Sequence, residues 1–153
     1  MPVKPLDTAF GAEVVQRCRA LPNDRSPNWG VLRADELVPH LIGTVRYSMG
    51  ELPEAGFYGN WFTQRILPTL VYTIGMGPPK NLKSLDQAGN RVEAVSCPGD
   101  CDTLQEAIDE FIAGCASQSF SPARHPFFGH IGFDGWGKIH VVHFKHHLKQ
   151  FSL

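Results

Sequence analysis

The sequence predicts an all-α protein: a four-helix bundle with an additional short helical segment. Three observations carry that expectation. Apolar residues recur at spacings of three and four in four separate stretches. Capping residues and Pro or Gly stops bracket those stretches. Strand-like alternation is confined to a weak patch at 91–96.

The first helix is expected over 6–21. Phe10, Val14, Cys18 and Leu21 share one helical face, Asp7 or Thr8 can cap it, and Pro22 stops it. "PNDRSPNWG" (22–30) is a loop by composition. The second helix is expected over 35–49, through Leu37, Leu41, Thr44, Val45 and Ser48, with His40 at the edge of that face. Pro39 lacks an N–H and fits best in a first turn, which places the start near Asp35 or Glu36. Gly50 is a suitable stop.

Residues 60–75 are strongly apolar and interrupted by Pro68, which predicts a kinked helix or a short pair. The connection 76–101 is rich in Gly, Pro and Asn and long for a compact domain. "GMGPP" (75–79) lacks the Lys-Ser/Thr ending of a phosphate loop and reads as a turn. The third main helix, 102–117, carries Leu104, Ala107, Ile108, Phe111, Ile112 and Cys115 on one face, with Thr103 and Glu106 as a capping box. Residues 119–132 read as a loop, and Asp134 as the cap of a last helix over 133–151. No internal repeat interrupts a single domain spanning 1–153.

Composition narrows the function. The chain has 153 residues, 42% hydrophobic and 19% charged, which is enough to fold around a core. A net charge of −1 without a Lys/Arg run argues against nucleic acid as the partner, because such binding rests on neutralising phosphates. The N-terminus lacks a signal-peptide apolar run, and "ILPTLVYTIGMG" (66–77) is too short to span a bilayer, so a cytoplasmic protein without a membrane partner is expected. Cys18 and Cys115 lie on apolar stripes as small hydrophobes. Cys97 and Cys101, in "CPGDC", have no second pair to complete a zinc site and read as loop cysteines, with a redox pair as the alternative.

The chemistry concentrates in "HVVHFKHH" (140–147), which holds four of the seven histidines. On a helical wheel Val141, Phe144, Leu148 and Phe151 form an apolar stripe, while His140, His143, His146, His147 and Gln150 share a second broad side. A helix with both stripes is buried on most sides, where unpaired polar groups are costly. His143 and His147 are one turn apart and can converge on one ion; the pairs His140–His143 and His143–His146 are also within reach. His140 and His147 lie about 10 Å apart along the axis, too far to share one. One helix thus supplies two ligands.

A third must come from His40, His125 or His130. His40, on a mid-bundle helix, can be held rigidly and is favoured, against the plainer role of a core histidine bonded to a carbonyl. His125 and His130 read as loop histidines. His140 and His146 are expected to support the ligands or an interface. Trp29, Trp61 and Trp136 are expected in core packing rather than a pocket.

"LVPHLIGT", followed about a hundred residues later by "HFKHHLKQF", resembles the DinB/YfiT-like metal-binding superfamily. The last-helix pattern of that superfamily, H-x-x-x-H with Gln three residues on, is matched by His143, His147 and Gln150. The stretch "HPFFGHIGFDGWGKIHVVHFKHHLKQF" is also similar to a bacterial branch known only as a domain of unknown function. The resemblance covers most of the chain from "NWG" (28–30) onward. It implies an up-down-down-up four-helix bundle, often a homodimer, with a divalent metal (zinc, nickel or iron) on three histidines. Those carry over onto His40, His143 and His147. Leu148 and Lys149 replace the arginine and glycine common in the superfamily, so cosubstrate contacts of other members need not transfer.

Three imidazoles leave a position open on the ion, as catalytic rather than structural sites do. Such an ion acidifies a bound water or thiol. With the resemblance, this implies an enzyme acting on a small molecule. The first expectation is transfer of a low-molecular-weight thiol to a small electrophile. The alternatives are a metal-dependent hydrolase and a non-catalytic, stress-related metal-binding module. Glu36, Glu51 and Glu54 lie near the second helix, but nothing in the sequence places them at the metal as a general base.

Overall fold

The structure, a computed structural model, describes residues 2–78 and 95–153. It has six helices among the described residues: α1 (Thr8–Arg19), α2 (Ala34–Ser48), α3 (Trp61–Arg65), α4 (Leu67–Ile74), α5 (Cys101–Ser117) and α6 (Gly132–Gln150). Residues 79–94 of the long connection, and with them most of the 91–96 alternation and Pro79 of "GMGPP", lie outside the described residues.

The ends follow local chemistry, with some corrections to the sequence reading. Asp7 caps α1 through a 2.8 Å bond from the Phe10 N–H. Glu36 reaches back to the Arg33 N–H at 2.9 Å and closes the first turn of α2. Pro39 sits inside α2, one turn later than its missing N–H favours. Its carbonyl takes a 3.0 Å bond from the Cys97 N–H, which docks the 95–99 segment on the helix. The apolar stretch at 60–75 is two short helices joined at Ile66, with Pro68 in the first turn of α4. Asp100, not Thr103, caps α5: its carboxylate accepts from the Thr103 N–H at 3.0 Å. Asp134 does not cap α6; it lies in the first turn and pairs with Lys138 at 2.8 Å.

Cross-helix contacts give the directions. Gly11 meets Ile108 and Arg19 meets Asp102, so α1 and α5 are antiparallel. Gly99, just before α5, lies against Ile42, while Arg46 pairs with Glu110, so α2 and α5 are parallel. His40 meets His143 and His147 while Ser48 meets His140, so α2 and α6 are antiparallel. Leu6 bonds to Gly137 and Arg17 to Leu153, so the chain through α1 runs parallel to α6. The order is up-down-down-up, with α3–α4 appended and α4 packed on α6.

The core draws on the predicted faces, joined from outside them by Val15, Ile42, Tyr47 and Met49, while Phe10, Leu21, Ile112 and Cys115 pack only partly buried against it. Val14, Leu37, Leu41, Ile108, Phe111 and Phe144 are all at most 1% exposed. A buried Leu or Phe side chain contributes about 1.5–3 kcal/mol over leaving it in water, which makes this layer the frame on which the polar residues are mounted. Trp136 joins the core and donates Nε1–H to the Ala123 carbonyl at 2.8 Å. Trp61 departs from expectation: it is 69% exposed on α3, away from the core. All four cysteines are free thiols. Among the described residues, no helix is long and apolar enough to cross a membrane.

Candidate metal centre

Two elements build the site. α2 supplies His40, and α6 supplies His143 and His147 from successive turns. Because these helices are antiparallel and adjacent, the three rings meet between them. His40 Nε2 lies 3.1 Å from His143 Nε2, and His147 Nε2 lies 3.0 Å from the same atom. Among the described residues this is the group of three or more such side chains that can hold an ion, each ligand atom within 4.8 Å of the others.

The outer nitrogens decide which protons the inner ones carry. His40 Nδ1 faces the Val95 carbonyl at 2.9 Å, and a carbonyl can only accept, so Nδ1 carries the hydrogen. His147 Nδ1 lies 2.7 Å from Gln150 Oε1. The Gln150 amide nitrogen donates to the Trp29 carbonyl at 2.9 Å, which fixes the amide with its oxygen toward His147, so that Nδ1 also carries the hydrogen. In the neutral rings, His40 Nε2 and His147 Nε2 are therefore bare lone pairs. Both point at His143 Nε2, which has at most one hydrogen to give. One hydrogen cannot point at both, so at least one of the contacts at 3.1 and 3.0 Å is left without a hydrogen bond, whereas a cation between the rings can serve all three nitrogens.

The donor set thus fits a divalent ion. Ligand nitrogens at about 2.0–2.1 Å from zinc stand about 3–4 Å apart, as His40 Nε2 and His147 Nε2 each do from His143 Nε2. Protonation is disfavoured too. Burial holds His40 below the usual imidazole range, against the Val95 bond. Burial, then the neighbouring His147 and His40 rings, hold His143 well below it. Burial and His40 push His147 down to about 3, with the Gln150 bond opposing. Neutral imidazole is the form that binds metal.

The remaining histidines do other work. His140 is 1% exposed; its Nε2 lies 2.9 Å from Ser48 Oγ, and its ring stacks on Trp136 and Phe144. It belongs to the core, a role the helical wheel did not reveal. His125 is more than a loop histidine: its Nδ1 accepts from the Phe127 and Phe128 N–H groups, both at 3.1 Å, and organises the turn that bridges His125 to Gly129. His130 is exposed. His146 stands edge-on to Trp29, ring centroids 5.4 Å apart, beside His147.

Sequence reasoning missed the carbonyls of Val95 and Trp29. Every residue type carries a carbonyl, so no side-chain pattern could have marked these two. Gln150 was marked only by the resemblance, whose last-helix pattern places a Gln three residues after the second histidine.

Residues 13–152 match the model of a family described as protein of unknown function, DUF1569. No curated protein and no solved structure matches the chain.

Proposed function

We propose, from the premise that the chain belongs to the DUF1569 family, that it is a metal-dependent enzyme of the DinB/YfiT-like kind. His40, His143 and His147 hold a divalent ion, and the reaction transfers a low-molecular-weight thiol to a small electrophile. The observation that carries the reading is the convergence of three Nε2 atoms, two of them bare, at 3.0 and 3.1 Å. Among the described residues no cysteine or carboxylate joins that group, and in this reading the remaining coordination position is filled by a ligand from outside.

When bound, the ion supplies Lewis acidity, stabilising the deprotonated form of a thiol or water. This chain's own residues do the rest. The Val95 carbonyl and Gln150 hold the ligand rings with their lone pairs inward. The packing of α2 against α6 limits water at the rings, and desolvation keeps them unprotonated.

The test begins with metal content. Wild type is expected to carry one ion per chain, His147→Ala to lose most of it, and His125→Ala to keep it. Equal content in wild type and His147→Ala would overturn the assignment. Thiols are then screened against model electrophiles. Thiol-dependent consumption is expected; thiol-independent turnover would replace the transferase with a hydrolase. Retained metal without turnover would leave a metal-binding module.

A further inference from the structure

Asn28 is an exposed residue of the 22–33 loop, yet its bonds all go to the end of the ligand helix. Its N–H donates to the Gln150 carbonyl at 2.7 Å. Its side-chain amide donates to the Lys149 carbonyl at 2.9 Å and to Ser152 Oγ at 2.8 Å. The last carbonyls of a helix have no partners within it; residues 151–153 serve those of His147, Leu148 and Lys149, and this loop supplies the donor for Gln150 and a second one for Lys149. The next carbonyl along the loop, that of Trp29, is thereby fixed over the Gln150 side chain.

We propose that Asn28 is a positioning residue for the metal centre: by fixing the Trp29 carbonyl, it selects the His147 tautomer that leaves Nε2 free to ligate. The inference rests on the metal-ligand reading above for its consequence, but not for its geometry. A Gln amide has nearly the same shape in either orientation, so its partners choose between them. Here the Trp29 carbonyl accepts one hydrogen bond from the amide nitrogen and would repel the amide oxygen. That turns Oε1 toward His147 and places the hydrogen of His147 on Nδ1. With the carbonyl displaced, the amide is free to turn its N–H groups to Nδ1. The ring hydrogen then moves to Nε2, where it blocks the ion. Outer partners of this kind change metal affinity by about 10–100-fold.

Two measurements on the full chain test this. In the metal-free protein, the ¹⁵N shifts of His147 report its tautomer. Wild type is expected to show hydrogen on Nδ1, and Asn28→Ala a mixture or the Nε2–H form. An unchanged tautomer would overturn the proposal, whatever the metal does. Cobalt(II) is then titrated against a chromophoric chelator. Asn28→Ala is expected to weaken binding about 10-fold and shift the cobalt absorption. Gln150→Leu should weaken it at least as much, and Asn28→Ala in the Gln150→Leu background should add nothing, because the effect passes through Gln150. Equal cobalt affinity in wild type and Asn28→Ala, or additive losses in the double variant, would overturn it. Asn28→Asp keeps the shape and loses both side-chain donors, and carries the same expectations if Asn28→Ala does not fold. His147→Ala is the control for the metal reading itself: if it binds cobalt as wild type does, that reading fails, and the tautomer measurement still decides the role of Asn28.

Discussion

His140 donates from Nε2 to Ser48 Oγ at 2.9 Å, a fully buried bond joining α6 to α2. The direction is fixed because the Ser48 hydroxyl spends its own hydrogen on the Val45 carbonyl at 2.6 Å. Ser48→Ala leaves the His140 N–H without an acceptor in a dry core. The expected loss is about 1–3 kcal/mol in urea unfolding. Ligand geometry lies a turn away, so metal stoichiometry should hold; an unchanged unfolding midpoint would count against the bond.

A second prediction concerns pH. Burial lowers His125 to about 4 and His140 to about 3, with His125 a smaller contributor to the latter. His147 is lowered to about 3, and His40 and His143 are also lowered. Unfolded histidines titrate near 6.5, so below that pH the unfolded chain takes up protons that the folded chain refuses. The stability of the metal-free protein should be flat above pH 6.5 and fall as pH drops toward 4. Each of His125, His140 and His147 adds a slope of up to about 1.4 kcal/mol per pH unit, and His40 and His143 act in the same direction. Urea midpoints at pH 7.5, 6 and 5 measure this, and equal midpoints would refute it.

Gly43→Ala should reverse the usual helix rule. In an exposed helix interior, this change stabilises by about 1 kcal/mol. Here the new Cβ would stand 2.7 Å from the backbone N and Cα of Ser96. The 95–99 segment must retreat, and it carries the Val95 carbonyl that orients His40. A lower melting temperature and weaker cobalt binding are expected together. A gain in stability would show that the segment is not held against α2.

Metal should stabilise the fold by mass action. At a free zinc concentration 100 times its dissociation constant, the gain is about 2.7 kcal/mol. Thermal unfolding of the chelator-stripped protein should shift upward on adding zinc, and that of His143→Ala should not. An equal shift in both would place the ion elsewhere.

Helix spacing made the frame legible. Val14, Leu37, Ile108 and Phe144 fall where the apolar stripes put them, because burial of one face is what a helical period encodes. The one-turn spacing of His143 and His147 was legible for the same reason. What failed depended on competition between neighbours. Asp100 outbid Thr103 as a cap because its carboxylate reaches the Thr103 N–H from outside the helix. His140 looked like one more ligand-side histidine until Ser48, 92 residues away, supplied its acceptor. Trp61 was expected in core packing, yet it is 69% exposed, and Phe62 and Ile74 of the same apolar segment are 49% and 69% exposed. Apolarity alone does not say which face a neighbour will cover.

His40 and His143 are 103 residues apart in the chain. During synthesis, His40 is complete long before either of the other two rings exists, so an ion met by the growing chain finds a lone imidazole. Closing so long a loop is an entropic cost borne by the assembly of the bundle, whether or not an ion is present. An ion that arrives afterwards meets three rings already gathered, and one that leaves has only to break its own bonds or wait for α2 and α6 to part. Slow exchange of metal should therefore keep pace with opening of the bundle.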